Sequence, residues 1–281
     1  MIHEVREASA EEVAARLPEV GISQIDVGLT GAQGDGALAF RREPFDSELF
    51  GLQVGRITGL TAPDRIGYEN LLSALLDRAS HSGYQQILRR TKIDALQENW
   101  ALTRHGFELM DVGLVFGRPL TGAIEAPRFT DFAVRLATDA DVEGIVGSML
   151  DIPWGSRYEA DPAYTPEQVR QLRTRWLWNS HRGRAAAFLV GIMDGRAAGY
   201  VTCLLDEPAR HGEVELVGTL PAFRGRRVAS QILAHAVAWF STRASVVTVR
   251  TQATNYAAAA LYEKSGFTLY ASDVTYRRTL G

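Results

Sequence analysis

The sequence predicts an α/β fold in which helices pack on a mixed sheet. Two apolar runs, 185–193 and 197–205, flank the dipeptide Asp194-Gly195, which is a strong signal for a tight turn between antiparallel strands. A strand, a short loop and an apolar helix follow within 214–241. We therefore expect the order β-α-α-β-β-β-α-β-α-β over the second half of the chain.

The other elements of the second half follow from apolar spacing and end signals. Thr138 and Thr165 are expected N-caps, because each precedes acidic residues and an apolar helical pattern. We predict strands at 132–136, 213–219, 245–251 and 268–277, and helices ending at Met149 or spanning 226–241 and 256–264.

Composition excludes several classes of protein. The chain has 281 residues, 46% of them hydrophobic, which suffices for a core without disulfides. A net charge of −3 provides no general basic field for nucleic acid. No signal peptide or membrane-spanning stretch is evident, so we expect a cytoplasmic protein that does not contact membranes. Cys203 is the single cysteine and lies in an apolar run, which favours a buried packing role.

Two segments of the chain have similar sequences. Residues 101–109 resemble 261–269, each ending a helix at Gly-Phe before an apolar strand. This similarity suggests an internal repeat, although any helix that closes with a C-terminal glycine before a strand has a related pattern. A turn-rich stretch at 121–127 separates the copies. We predict domains at 1–121 and 128–281.

A basic loop joins the strand at 214–219 to the following helix. Its backbone N–H groups and the positive end of the helix converge on one point, which suits a pyrophosphate. Basic helix starts also occur as solvated caps, so the loop alone leaves both interpretations open. The candidate phosphate-binding residues are Arg224, Gly225, Arg226, Arg227, Val228 and Ala229.

This loop, together with the segment 255–267, resembles the two hallmarks of the GCN5-related N-acetyltransferase (GNAT) superfamily. The resemblance covers about 150 residues and also matches the predicted element order. It implies a GNAT fold, acetyl-CoA as cosubstrate and no metal. One position departs from the family pattern, because Arg227 stands where the family usually has glycine.

The resemblance also assigns roles to individual residues. The main chain at Val217 and Thr219 is expected to pair with the pantetheine arm, and Asn255 to cap a helix or bind that arm. Tyr262 is the candidate acid that protonates the departing thiolate, since a phenol of pKa about 10 suits that task. Packing alone is the alternative role for Tyr262.

A base for the incoming amine is harder to identify. Glu213 and Glu215 have the same strand parity as Val217 and Thr219, so all four are expected to face the same cleft. We take Glu215 as the candidate base, with solvated edge carboxylates and a water relay as alternatives.

The irregular run 153–162 is aromatic and charged, as an acceptor-binding loop would be. Arg157 is expected to bind a phosphate and Trp154 or Tyr158 to stack on a base or sugar, although a plain surface loop has a similar composition. Shorter matches resemble the dTDP-fucosamine acetyltransferase group; they lie at 44–52 with Arg56, at 101–109, and at 156–158, 175–179 and 182–183. They favour an amino sugar nucleotide as acceptor.

The first half has the Gly-Phe element but lacks the basic loop, and Leu102 stands in the place of Tyr262. We therefore expect it to be a degenerate GNAT-like partner without catalytic residues. Two alternatives to the amino-sugar interpretation remain: transfer to a peptide, amino acid or antibiotic amine, and a coenzyme-binding sensor without turnover. The expected assembly is a monomer or homodimer.

Overall fold

A computed structural model describes residues 4–31, 35–149 and 152–281. The chain forms two compact units. The first comprises the chain up to Val112 together with Ser272–Gly281, and the second is Gly113–Ala271. The predicted division at 121–128 therefore lies inside the second unit.

The elements are numbered in chain order. The strands are β1 Val5–Ala8, β2 Val27–Gly31, β3 Ala37–Arg42, β4 Val54–Thr61, β5 Gln86–Lys92, β6 Glu108–Pro119, β7 Ala133–Leu136, β8 Ala187–Met193, β9 Arg196–Asp206, β10 His211–Thr219, β11 Val246–Gln252 and β12 Thr268–Thr279. The α-helices are α1 Ala10–Arg16, α2 Pro44–Phe50, α3 Arg65–His81, α4 Leu96–Arg104, α5 Asp139–Met149, α6 Arg157–Ala160, α7 Pro166–Asn179, α8 Val228–Ser241 and α9 Tyr256–Lys264.

The first unit contains strands in the order β1-β2-β3-β4-β5-β12. Its neighbours are antiparallel except for β4 and β5, which run parallel. Apolar residues of α3, α4 and the strands form the core, among them Leu72, Leu102 and Tyr276. A smaller cluster around Val13 packs under α1.

The second unit contains strands in the order β6-β11-β10-β9-β8-β7, with β10 and β11 parallel and the other neighbours antiparallel. Helix α8 buries one apolar face here, including Ile232, Leu233 and Phe240. The predicted hairpin is confirmed, since Asp194 and Gly195 have φ of 52° and 71° between β8 and β9. These values suit a tight turn whose twist matches the strands.

The predicted element order holds with one addition. The short helix α6 lies in the run at 153–162 that the sequence suggested to be irregular. Helix α7 begins after Thr165, as predicted, with a complete capping box. Helix α8 begins two residues later than predicted, at Val228.

The internal repeat is confirmed by the element bounds. Advancing the bounds of β5, α4 and β6 by 160 positions gives those of β11, α9 and β12. Each unit is completed by a strand from the other half of the sequence. Residues of β6 pair with β11 in the second unit, and β12 pairs with β5 in the first.

Arginines at equivalent positions of the two repeats donate hydrogen bonds to the ends of helices. Arg118 of β6 donates to the carbonyl of Ser265 at 2.6 Å, at the end of α9. Its counterpart in β12, Arg278, donates to the carbonyl of Gly106 at 3.4 Å, at the end of α4. The carbonyls at a helix C-terminus have no partner within the helix. In each repeat, an arginine on a strand from the other repeat donates to one of the carbonyls at this end.

The Cys203 thiol is buried in the core of the second unit, which confirms the packing role. Burial raises its pKa to about 12, so the thiol stays protonated and non-nucleophilic at neutral pH. Among the described residues, the helices are all too short or too polar to cross a membrane.

The Cys203 thiol is expected to make stability pH-dependent. The unfolded chain ionises this thiol from its ordinary pKa near 9.0, whereas the folded protein does so only near 12. Stability is therefore full below pH 9 and falls as pH rises through this window, by about 1.4 kcal/mol at pH 10. Urea unfolding at pH 8 and pH 10 measures the loss. The Cys203→Ala variant should lose less stability than the wild type between these pH values, and equal losses would contradict the assignment.

Candidate coenzyme and acyl-transfer site

The site begins where two parallel strands separate. β10 pairs with β11 only over His211–Val214, although β10 continues to Thr219 and β11 to Gln252. Beyond Val214, the edge of β10 that faces β11 has no strand partner among the described residues. The two diverging strands leave backbone groups available for an extended ligand.

Hydrogen bonds show which residues present these groups. The N–H of Leu216 donates to Thr202 Oγ1 at 3.0 Å and that of Leu220 to the Ala198 carbonyl at 2.9 Å, both toward β9. Successive residues of a strand direct their backbone groups to opposite sides. Val217 and Thr219 therefore direct theirs toward the side where β11 has separated.

The basic loop follows directly after β10. A 3₁₀ turn at Pro221–Phe223 leads to Gly225, whose φ is 78°, and α8 starts at Val228. The first backbone bond of the helix runs from Gln231 N–H to the Arg227 carbonyl at 3.1 Å. The preceding N–H groups have no side-chain cap in the described chain. This helix start is open to an anion.

The three loop arginines are exposed but differ in their contacts. Arg226 forms an ion pair with Asp194 at 2.7 Å, and its guanidinium lies 5.6 Å from the ring centre of Phe223. This pair joins the loop to the β8–β9 turn and lowers the pKa of Asp194. Within the described residues, no ion pair engages Arg224 or Arg227. These two side chains are the better candidates for contact with a phosphate.

Arg227 has a left-handed backbone, with φ of 60° at the N-cap of α8. For a residue with a Cβ, this conformation costs about 1–2 kcal/mol, whereas glycine adopts it readily. The geometry explains why a glycine would suit this position and shows that the arginine keeps the same backbone path.

Replacing Arg227 by glycine is expected to raise the free energy of unfolding by about 0.5 kcal/mol, because relief of strain exceeds the entropy that glycine adds to the unfolded chain. Arg224→Gly is the matched control, since Arg224 has an ordinary φ of −60°. That variant should be destabilised by about 0.5–1 kcal/mol. Urea unfolding of both proteins measures the difference, and shifts of the same sign would contradict the strain argument.

Helix α9 supplies two predicted site residues. Asn255 caps it, because its Oδ1 accepts from the N–H of Ala258 at 3.2 Å. Tyr262 is buried, with its ring centre 5.7 Å from that of Phe116 and 6.1 Å from that of Phe267. Burial raises the pKa of Tyr262 to about 12. The phenol therefore holds its proton at neutral pH and has a proton to donate.

One prediction about β10 is wrong. The strand does not present Glu213, Glu215, Val217 and Thr219 on one face of the sheet. The register between β9 and β10 shifts between Val214 and Leu216, so β10 contains a bulge with Glu215 as the extra residue. A bulge changes the alternation of side chains. As a result, Glu213 and Val217 lie on opposite faces of the sheet.

Comparison with known proteins relates part of the chain to a family. Residues 147–267 match the acetyltransferase (GNAT) family. The chain contains a GNAT acetyltransferase domain. It is 33% identical over 131 residues to the "Spore coat polysaccharide biosynthesis protein SpsD" of Bacillus subtilis (strain 168), a match that covers 46% of this chain. The chain spans only 44% of that relative's length.

Solved structures share the fold of this chain. A GCN5-related N-acetyltransferase from Sphaerobacter thermophilus aligns with a TM-score of 0.63 at 16% identity, covering 97% of this chain and 86% of the other. A tandem GNAT protein from the clavulanic acid biosynthesis pathway aligns with a TM-score of 0.64 at 13% identity, covering 99% and 98%. Both halves of the sequence thus have the predicted GNAT-like fold.

The predicted acceptor residues of the GNAT domain have mainly local contacts. Tyr158 is buried, and its hydroxyl accepts from Arg157 Nη2 at 2.6 Å. Its ring packs edge-on against Trp176, with centres 5.7 Å apart. The half-buried Trp154 ring lies 5.1 Å from the guanidinium of Arg173. Tyr158 therefore packs in the interior, and the expectation that its ring is open for stacking is not met.

The sequence did not reveal the residues that hold Glu215. A π turn at Ser180–Arg184, whose backbone is non-helical at Arg182 and Gly183, follows α7. Arg184 contacts Glu215 Oε1 at 2.8 Å through Nε and at 2.7 Å through Nη2, and Ser180 Oγ donates to Oε2 at 3.1 Å. A π turn interrupts the 3.6-residue period, so helical spacing gives no signal for this contact.

Proposed function

We propose that the chain is an acetyl-CoA dependent N-acetyltransferase that acts on a primary amine of a small molecule, by direct attack of the amine on the thioester. The observation that carries this proposal is the separation of β10 from β11 immediately before the uncapped start of α8. A cleft edged by free backbone groups and ending at an anion site matches a ligand with an amide-containing arm and a pyrophosphate.

The residues present fit this coenzyme. Val217 and Thr219 have their backbone groups on the separated edge, where they would pair with the pantetheine amides. The N–H groups at the start of α8 and the side chains of Arg224 and Arg227 would hold the pyrophosphate. Bound there, the coenzyme supplies an activated acetyl thioester.

Proton transfer then falls to this chain and to water. Tyr262 keeps its proton at neutral pH and would donate it to the departing thiolate. An amine like that of lysine, of pKa about 10.4, costs about 4.6 kcal/mol to deprotonate at pH 7. A less basic sugar amine costs less, so water can accept its proton without a strong base in the protein.

The acceptor that we favour is an amino sugar nucleotide. The similarity to a protein named for spore coat polysaccharide biosynthesis supports this choice, because building polysaccharides uses activated sugars. The matched region overlaps less than half of that relative, so the acceptor rests on this similarity and on the sequence motifs at 44–56 and 156–183.

Release of free thiol from acetyl-CoA, measured with a panel of amines, tests the proposal. The panel contains nucleotide-linked amino sugars, free amino sugars, amino acids, a peptide amine and an aminoglycoside. We expect the nucleotide-linked amino sugars to give the highest kcat/KM. A peptide, amino acid or aminoglycoside preference would overturn the acceptor class. Coenzyme binding without release by any amine would overturn the enzyme proposal in favour of a sensor.

We further propose that each chain binds one coenzyme, at the second unit. In the first unit, Asp64 caps α3 by accepting from Gly67 N–H at 2.8 Å, which places a carboxylate where α8 has an open start. Arg89 pairs with Glu98 at 2.6 Å and donates to the Ile57 carbonyl at 3.3 Å, where β4 and β5 end their pairing. Calorimetric titration with CoA should give a stoichiometry of about one per chain, and two equivalents would contradict this assignment.

A further inference from the structure

Glu215 occupies a distinctive position in β10. It is the bulge residue, because Val214 is opposite Cys203 and Leu216 is opposite Thr202 on β9. It is also the first residue after Val214, where pairing with β11 ends. Glu215 therefore lies at the point where β10 leaves its neighbour.

Two donors fix this side chain from the end of α7. Oε1 accepts the Nε–H of Arg184 and lies 2.7 Å from its Nη2 in an ion pair, and Oε2 accepts the hydroxyl of Ser180. The Glu215 side chain is only 17% exposed, and Ser180 is buried. Charge-assisted bonds of this kind hold a defined geometry.

The π turn at Ser180–Arg184 places both donors. Within it, Gly183 has φ of 114°, and the N–H of Ala185 donates to the Ser180 carbonyl at 3.1 Å. This backbone path directs Ser180 and Arg184 to the same carboxylate, although they are four positions apart in an irregular turn.

These contacts also bear on the expected role of Glu215 as a base. A carboxylate has about four lone-pair positions, and here each oxygen already accepts a hydrogen bond, while Arg184 also forms an ion pair with Oε1. Taking the amine proton would require Glu215 to give up part of this arrangement. Holding the bulge requires no such change.

We propose that Arg184 and Ser180 are positioning residues that act through Glu215 to hold β10 away from β11 and so keep the coenzyme cleft open. This inference rests on the proposed function, because the cleft is the site assigned there to acetyl-CoA. Glu215 is then the anchor of the bulge and does not accept the amine proton.

The experiment compares Arg184→Met, Glu215→Gln and the double variant. Calorimetry with CoA measures binding, and kcat/KM is measured against pH with the best amine of the panel. We expect each single variant to weaken CoA binding about tenfold. The double variant should bind CoA no more weakly than the weaker-binding single variant, because both substitutions break the same contact between Arg184 and Glu215. The acidic limb of the pH profile should be unchanged in Glu215→Gln, and Arg184→Lys should recover part of the binding.

Arg170→Met is the matched control. Arg170 lies on α7, pairs with Glu167 at 3.6 Å and is about half exposed. The substitution therefore removes one positive charge, as Arg184→Met does, and leaves the Arg184–Glu215 contact in place. All proteins are compared well below their unfolding temperatures, so that loss of stability alone does not lower binding. The control should bind CoA like the wild type.

Three results would overturn the inference. They are unchanged CoA binding in both single variants, additive losses in the double variant, and loss of the acidic limb in Glu215→Gln alone, which would make Glu215 the base. Failure of the proposed function has a different signature, since the wild type would then bind CoA but release no thiol with any amine, and the binding comparison would still decide the role of Arg184. A wild type that does not bind CoA would overturn both.

Discussion

Replacing Tyr262 by phenylalanine is expected to lower kcat about 100-fold while leaving the dissociation constant of CoA unchanged. A positioned acid typically contributes at least this factor, because the thiolate otherwise departs without a proton. The ring contacts with Phe116 and Phe267 need only the aromatic ring, so the variant should keep its packing. Steady-state kinetics and calorimetry provide the two measurements.

The pH dependence sharpens the Tyr262 test. Because burial raises the pKa of Tyr262 to about 12, its phenol remains a donor throughout the usual assay range. No alkaline limb below about pH 11 should arise from this residue. Tyr276→Phe is the matched control, since Tyr276 is a buried tyrosine in the core of the first unit. Equal kcat values for Tyr262→Phe and the wild type would show that Tyr262 only packs and is not the acid.

The sequence predicts those parts of the second unit whose signals are local. The Asp194-Gly195 turn and the α9 cap at Asn255 each depend on a few adjacent residues, and both are present. Apolar alternation likewise locates β10 and β11. These features were accessible because neighbouring side chains and backbone preferences determine them.

Features that depend on distant partners were not accessible. The bulge at Glu215 is defined by its register against β9 and by donors from the π turn after α7. For this reason, the predicted alternation of side chains from Glu213 to Thr219 is wrong. The burial of Tyr158 depends on Trp176, which lies on a different helix. In both cases a tertiary contact decides the geometry, and neighbouring residues in the sequence do not indicate it.

The pairing of β12 with β5 and of β6 with β11 is the largest effect of contacts between distant parts of the sequence. A boundary at 121–128 is reasonable for a chain in which each repeat folds on its own, and the turn-rich sequence favours it. The first unit, however, includes Ser272–Gly281. Along β12, seven residues from Asp273 to Thr279 pair with β5, and Val274 and Tyr276 contribute to the core.

A fragment of residues 1–121 is therefore expected not to fold into a stable domain. Without β12, it leaves one edge of β5 unpaired and exposes the apolar surface that Val274 and Tyr276 cover. Circular dichroism with thermal unfolding should show no cooperative transition. A fragment in which a flexible linker joins 272–281 to the end of 1–112 supplies the missing strand and should regain that transition, since it contains every part of the first unit. Cooperative unfolding of 1–121 alone would show that the first half needs no strand from the second.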